Sequence, residues 1–307
     1  GDIFKYLNNK VNCKFLFGLD YAPVNEACKR FYKEKGKQMY KNSKCVFIRY
    51  DTSKNIIDKS GFVEIDNTHS KNMINILYDN NELVDDEYKN INRHSEYKGL
   101  ASDKFHIISS QFSIHYYFKN ENTLNGFLTN ISQNIRKGGY FIGTCYDGNY
   151  IFERLKDSEP FEYYIGDKKI YSVEKKYDIK NFDFNSDSKT SMLGQIIDVY
   201  MESIGQNMPE YLVNFDYFID KMKEYGFKPH KPKMNSISEK VIQNDIGNFY
   251  DIINNLEELE KTDTLLQKPK TDKDKHIGTY KESLNILQNE KLMELSSMNK
   301  YFIFQKI

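Results

Sequence analysis

The sequence predicts an α/β fold built on a doubly wound, mainly parallel sheet. Short apolar runs recur along the chain, and several close on an acidic or polar residue. Segments with helical apolar spacing lie between them. That alternation is the pattern of parallel strands joined by crossover helices.

Taken in order, residues 1–7 open with helical character, and residues 13–20 form an apolar run that ends on Asp20. Residues 24–33 follow with apolar positions at Ala27, Cys28 and Phe31, a helix pattern. Residues 45–51 repeat the theme, a strand ending on Asp51. A helix is expected around Met73 to Leu77, then a strand over Phe105, His106, Ile107 and Ile108. Helical spacing returns over residues 124–135, and Arg136-Lys137-Gly138-Gly139 carries the basic residues and glycine of a helix end. Residues 140–145 read as the next strand and 151–156 as a short helix. Two strands at 168–173 and 195–203 suggest an antiparallel addition. Residues 209–215, beginning Pro209-Glu210, lead into a helix through Lys223. In that reading Glu210 either serves the site or stands as a first-turn acid. Residues 228–298 are polar, with residues 260–298 the expected mobile loop. Residues 301–304 form a last strand.

Composition narrows the function. The chain has 307 residues with 44 basic and 44 acidic side chains, so the global positive charge of a nonspecific nucleic-acid binder is absent. Its four cysteines form no C-x-x-C pair and no cluster with histidine, which suggests neither a metal site nor a disulfide framework. No apolar run approaches the roughly 18 to 20 residues of a membrane span, and no signal peptide is visible.

The chemistry concentrates at 109–118, Ser-Ser-Gln-Phe-Ser-Ile-His-Tyr-Tyr-Phe. The stretch follows a strand, and ligands of open α/β sheets bind beyond the carboxyl ends of strands. Gln111, His115 and Tyr116 offer hydrogen bonds and stacking faces there. Asp20 and Asp51 stand at strand tips, where a carboxylate can accept from ribose hydroxyls.

Four segments carry a family resemblance: 109–118, Gly-Gly-Tyr-Phe-Ile-Gly-Thr at 138–144, Glu-Tyr-Leu-Val-Asn-Phe at 210–215 and Gly-Asp-Ile-Phe-Lys-Tyr at 1–6. In that order they resemble the mRNA cap guanine-N7 methyltransferases. Gly-Thr-Cys-Tyr-Asp-Gly at 143–148 and Asp-Val-Tyr-Met-Glu-Ser at 198–203 look most like the methyltransferase part of capping enzymes from large DNA viruses. The resemblance implies a Rossmann-like class I S-adenosylmethionine-dependent methyltransferase, with an antiparallel last strand and a cap-binding insertion over residues 150–235. It implies one domain over 1–307, whose first strand and most of whose glycine-rich loop lie upstream of Gly1.

The same resemblance implies site roles. Gly1, Asp2, Asp20, Asp51, Gln111 and Tyr116 match cofactor-binding positions for S-adenosylmethionine. Lys5, Arg30, His115, Glu210 and Tyr301 match cap-binding positions. No catalytic acid or base and no metal is implied. Tyr146 departs from the family, where many members have proline. The implied partner is 5′-capped RNA (GpppN), with upstream triphosphatase and guanylyltransferase domains or an activating subunit as further candidates and no membrane. The implied location is intracellular: a viral factory or virion for a virus, the nucleus for a cell. The alternatives are a catalytically silent cap-binding module and a class I methyltransferase with another substrate.

Overall fold

The structure is a computed structural model, and it describes residues 6, 13–35, 43–80, 95–157, 159–186, 190–234, 236–262 and 289–307. The elements run β1 (Phe15–Asp20), α1 (Asn25–Lys35), β2 (Lys44–Arg49), α2 (Thr68–Leu77), β3 (Phe105–Gln111), a 3-10 turn (Ile114–Lys119), α3 (Glu121–Asn134), β4 (Ile135–Tyr146) and α4 (Gly148–Arg154). Then follow β5 (Phe161–Ile165), β6 (Lys168–Lys175), β7 (Ile196–Met201), β8 (Gln206–Tyr211) and α5 (Phe215–Glu224). The chain closes with β9 (Phe227–Pro229), α6 (Ser236–Val241), β10 (Ile246–Asn248), α7 (Phe249–Thr262), α8 (Glu290–Ser297) and β11 (Asn299–Lys306).

Two compact units emerge. The first comprises Gly1–Phe105 with Asn125–Arg136, the second His106–Leu124 with Lys137–Ile307. In the first unit β1 and β2 pair in parallel, Phe15 opposite Lys44 through Asp20 opposite Arg49. Both strands therefore end at one edge. Their core is Val46, Ile48 and Tyr50 against Met73, Ile74 and Leu77 of α2, with Phe15, Phe17 and Phe105 stacked about 6 Å apart.

The second unit holds two sheets. In one, the order is β10–β11–β4–β3, with β9 also paired to β11. β11 runs antiparallel to β4, β9 and β10. β4 alternates: Phe141, Gly143 and Cys145 are buried, while Tyr140, Ile142 and Thr144 are half-buried. Its buried face meets Phe302, which packs edge-on against Phe218 of α5, and Phe218 packs likewise on Phe304. α5 presents Phe215, Phe218 and Met222 to the core, is capped by Asn214, whose side chain accepts from the Tyr217 amide at 3.0 Å, and ends at Gly226 with φ +79°. The other sheet is β5–β6–β7–β8, antiparallel throughout.

Three expectations need correction. The sheets are mixed rather than mainly parallel, because hairpin links such as the turn at Gly166 (φ +57°) between β5 and β6 are too short for a parallel crossover. Residues 136–139 do not end a helix: α3 stops at Asn134, and they run on within β4. Pro209 and Glu210 do not open a helix. They lie on β8, an edge strand opposite Asp198 and Ile197, where a proline removes no sheet hydrogen bond. The helix begins at Phe215 instead. Of the expected loop at 260–298, residues 263–288 lie outside the described residues, and Glu290–Ser297 is helical. The helical opening expected at 1–7 also lies outside them, Tyr6 apart.

Candidate functional site

The second unit gathers its polar side chains where β3, β4 and β8 end. After Gln111 the backbone reverses at Phe112, whose φ of +48° is strained for a bulky residue. Its N–H donates to the Thr144 carbonyl at 2.9 Å, which fixes the reversal to β4. The 3-10 turn that follows is pinned by fully buried Ile114 and Phe118 and carries His115 between them. On β4, Tyr146 precedes Asp147, the cap of α4, whose carboxylate accepts from the Tyr150 amide at 3.3 Å and pairs with Lys300 at 2.9 Å. The Gly148 amide donates to the Val213 carbonyl at 3.0 Å. A Cβ there would stand 2.4 Å from that oxygen, so only glycine lets the exit of β4 meet the chain leaving β8. Glu210 is two residues before Leu212, whose N–H donates to the Gln195 carbonyl at 2.9 Å.

These constraints bring His115, Tyr116, Tyr146 and Glu210 together. His115 Nε2 lies 3.4 Å from Glu210 Oε2, an ion-pair distance without hydrogen-bond alignment. The Tyr116 hydroxyl donates to Glu210 Oε1 at 3.3 Å. The His115 ring stands 4.3 Å from that of Tyr116 and stacks 5.4 Å from that of Tyr146. The Tyr146 hydroxyl accepts from Tyr171 at 3.1 Å. His115 and Glu210 are each only 2% exposed, yet among the described residues both imidazole nitrogens and Glu210 Oε2 have no hydrogen-bond partner. Buried polar groups left unpaired cost about 1–3 kcal/mol each, so the cluster carries unmet capacity at its centre. Burial pushes the Tyr146 and Tyr171 hydroxyls well above the usual phenol range, and the Glu210 charge raises both further. Both stay protonated.

Gln111 is half-buried beside this cluster; its carbonyl accepts from the Thr144 hydroxyl at 3.0 Å and its amide donates to Ser109 at 3.0 Å. Tyr301 sits opposite Thr144 on β11, and its hydroxyl donates to the Asn244 carbonyl at 3.3 Å. It forms neither a hydrogen bond nor a ring contact with His115 or Glu210.

The first unit holds the strand-tip acids at one edge. Asp20 is exposed and accepts from the Ala22 amide at 2.9 Å. Asp51 accepts from the Ser53 amide at 2.9 Å and its hydroxyl at 2.7 Å, both on Oδ1. Each acid thus anchors a turn with one oxygen, and among the described residues its other oxygen accepts no hydrogen bond. The loop after Asp51 is latched by Asn130 of α3, which donates to the Thr52 and Lys54 carbonyls at 2.8 and 2.7 Å and accepts from the Ile56 amide at 2.9 Å. Gly126 permits that approach, since a Cβ there would fall 1.8 Å from the Ser53 carbonyl. Arg30 is exposed on α1. Gly1, Asp2 and Lys5 lie outside the described residues.

The reading from sequence missed Tyr171, Thr144 and Asn130. Tyr171 gave no signal beyond its place in an alternating strand, and Asn130 looked like one polar residue in a helix. Among the described residues, no group of three or more His, Cys, Asp or Glu side chains could hold a metal, and no helix is long and apolar enough to cross a membrane.

Comparison with known proteins adds a family. The sequence profile of the mRNA (guanine-N(7))-methyltransferase domain matches residues 1–283. The "Probable mRNA-capping enzyme" of Acanthamoeba polyphaga mimivirus is 28% identical over 68% of this chain and 18% of its own length. The mRNA cap guanine-N(7) methyltransferase of Saccharomyces cerevisiae is 31% identical over 40% of this chain and 28% of its own. The mRNA cap guanine-N(7) methyltransferase 1 of Arabidopsis thaliana is 32% identical over 40% of this chain and 32% of its own. The chain thus spans under a third of the length of each of these relatives. Among solved structures, an S-adenosylmethionine-dependent methyltransferase from Clostridium acetobutylicum aligns with a TM-score of 0.34 and 12% identity, over 74% of this chain and 78% of that one.

Proposed function

The chain belongs to the mRNA (guanine-N(7))-methyltransferase family, and we propose that it transfers a methyl group from S-adenosylmethionine to N7 of the guanine of a GpppN-capped RNA. One observation carries the substrate half of this reading: buried Glu210 and His115 hold three polar atoms that have no hydrogen-bond partner among the described residues, against the rings of Tyr116 and Tyr146. A carboxylate accepts from both N1–H and the exocyclic amine of guanine. Adenine presents an unprotonated N1 on that edge and leaves the carboxylate unmet. A site built this way penalises the wrong base through its own unpaired groups. Aromatic stacking contributes roughly 1–3 kcal/mol per base. Tyr116, 42% exposed, is the side of the cluster that meets solvent, and its long bond to Glu210 is the contact an entering base displaces.

The residues present fit the cofactor. In the first unit Asp20 and Asp51 each keep one carboxylate oxygen outside the turn they anchor, a donor set suited to ribose and adenine groups; in the second unit Gln111 and Tyr116 are the residues whose positions match the family's contacts to the methionine end. When bound, S-adenosylmethionine supplies an activated methyl on a sulfonium. Guanine N7 already carries an unshared pair, so no side chain has to remove a proton from it. His115, Glu210 and the tyrosines have only to orient the base and exclude water. Such positioning can lower a barrier by about 7–11 kcal/mol.

The test is product analysis. The protein that carries this chain is incubated with methyl-labelled cofactor and GpppA-capped RNA, and the product is digested with nuclease. The expected labelled product is m7GpppA. Label on a ribose, on the internal adenine or on an ApppA-capped RNA would refute the reading.

A further inference from the structure

Two buried phenols reach the Glu210 cluster from different sheets of the second unit. In the antiparallel sheet Tyr171 pairs with Met201, Val173 with Val199 and Lys175 with Ile197, and Ile197 pairs in turn with Glu210. Paired residues project from one face, and so do alternate residues of a strand. Tyr171 on β6 and Glu210 on β8 therefore share a face. Tyr146, at the end of β4, packs in one core with Tyr171, Val173 and Ile197 of that face. The other side of its ring covers His115, with the planes 29° from parallel.

The two hydroxyls have unequal roles. Tyr171 donates to the Tyr146 oxygen at 3.1 Å, which commits the Tyr171 proton. A phenol can donate as well as accept. The Tyr146 proton has no acceptor among the described residues, and the bond from Tyr171 turns it away from that side. Burial first, then the Tyr171 and Glu210 charges, push the Tyr146 hydroxyl up, so it remains a donor through the neutral range. Glu210 thus lies within electrostatic reach of this oxygen. A guanine seated on Glu210 gives its N1–H and exocyclic amine to the carboxylate. The next atom along that edge is O6, an acceptor, and it calls for a donor beside the carboxylate.

We propose that Tyr146 donates its hydroxyl proton to guanine O6 and so determines specificity at that atom, and that Tyr171 is the positioning residue that aims it. The site then presents acceptor, acceptor and donor across the edge of the base. Guanine matches that order, whereas adenine presents an amine where O6 stands. This rests on the function proposed above and adds to it the group that reads O6. His115 is the competing donor.

The test compares GpppA with the same cap carrying 6-thioguanosine. Sulfur, a weak acceptor, there replaces O6 while N1–H and the amine remain. Dissociation constants are measured with S-adenosylhomocysteine present, for the wild type, Tyr146→Phe, Tyr171→Phe and the double variant. Both substitutions keep the rings and their packing. The wild type should bind GpppA about fivefold more tightly than the sulfur cap, the worth of one neutral hydrogen bond. Tyr146→Phe should bind GpppA about fivefold more weakly than the wild type and no longer distinguish oxygen from sulfur. Tyr171→Phe should lose part of the discrimination, and the double variant should match Tyr146→Phe, because Tyr171 acts through Tyr146. A purely structural role weakens both caps alike. An oxygen-to-sulfur ratio unchanged in Tyr146→Phe therefore overturns the proposal and leaves O6 to His115. A ratio unchanged in Tyr171→Phe overturns the positioning role. A wild type that binds neither cap overturns the function proposed above and this inference with it, an outcome distinct from tight binding with an unchanged ratio.

Discussion

Replacing Asn130 with alanine should release the loop that follows Asp51. Asn130 is only 4% exposed and makes three hydrogen bonds to that loop, to the Thr52 and Lys54 carbonyls and the Ile56 amide. At about 1 kcal/mol net each, the substitution removes about 3 kcal/mol, more if the Ile56 amide stays buried and unpaired. If the loop opens while the rest of the first unit stays folded, the whole loss falls on whatever the loop binds. Three kcal/mol then corresponds to roughly a 150-fold weaker cofactor. Calorimetric titration with S-adenosylhomocysteine measures that, and urea unfolding measures how much of the cost falls on the fold instead. Asn130→Asp keeps the acceptor for Ile56 and loses both donors, so it should fall between. An Asn130→Ala protein with unchanged cofactor affinity and unchanged unfolding midpoint would refute the latch.

Three further outcomes follow from the geometry. Gly148→Ala must displace the Val213 carbonyl, 2.4 Å from the new Cβ; a cost of about 1–3 kcal/mol in urea unfolding, with a raised KM for cap and an intact cofactor affinity, is expected, and an unchanged cap KM would count against the role of that contact. Tyr177→Phe removes a buried hydroxyl that has no hydrogen-bond partner among the described residues and should stabilise the protein by about 1 kcal/mol; a lower melting temperature would contradict it. Burial pushes Tyr50 and Tyr177 up to about 12, against about 10 in an unfolded chain. Between those values the unfolded state gives up protons that the folded state keeps, so this stability is full below pH ~10 and is lost as pH rises towards ~12. Denaturation midpoints that stay flat across this window would contradict the burial of these phenols.

Much of this architecture is legible in the sequence, and the gaps have physical causes. β1, β2, β3 and β4 announce themselves because apolar runs that end on a polar residue fit a buried strand. Asp20 at the tip of β1 is read from that run alone. β8 is hidden because proline followed by glutamate is a good helix opening, and only its edge position beside β7 makes it a strand. β9 and β10 have three residues each, too few for periodicity. The cluster at Glu210 was partly legible, since His115 and Tyr116 are neighbours in a polar string. Its partners Tyr146 and Tyr171 meet only through the packing of β4 on β6, which no local pattern encodes.

The account turns on a carboxylate that reads guanine, and equilibrium binding tests it most directly. Dissociation constants for GpppA and ApppA should be measured for the wild-type protein and for Glu210→Gln. The wild type should favour GpppA by at least about 100-fold, a floor below the roughly 10⁴–10⁵ reached by sites that reject an analogue lacking their hydrogen bonds. In Glu210→Gln the preference should fall to within a few-fold while cofactor affinity holds. A guanine preference that survives the substitution would contradict the account.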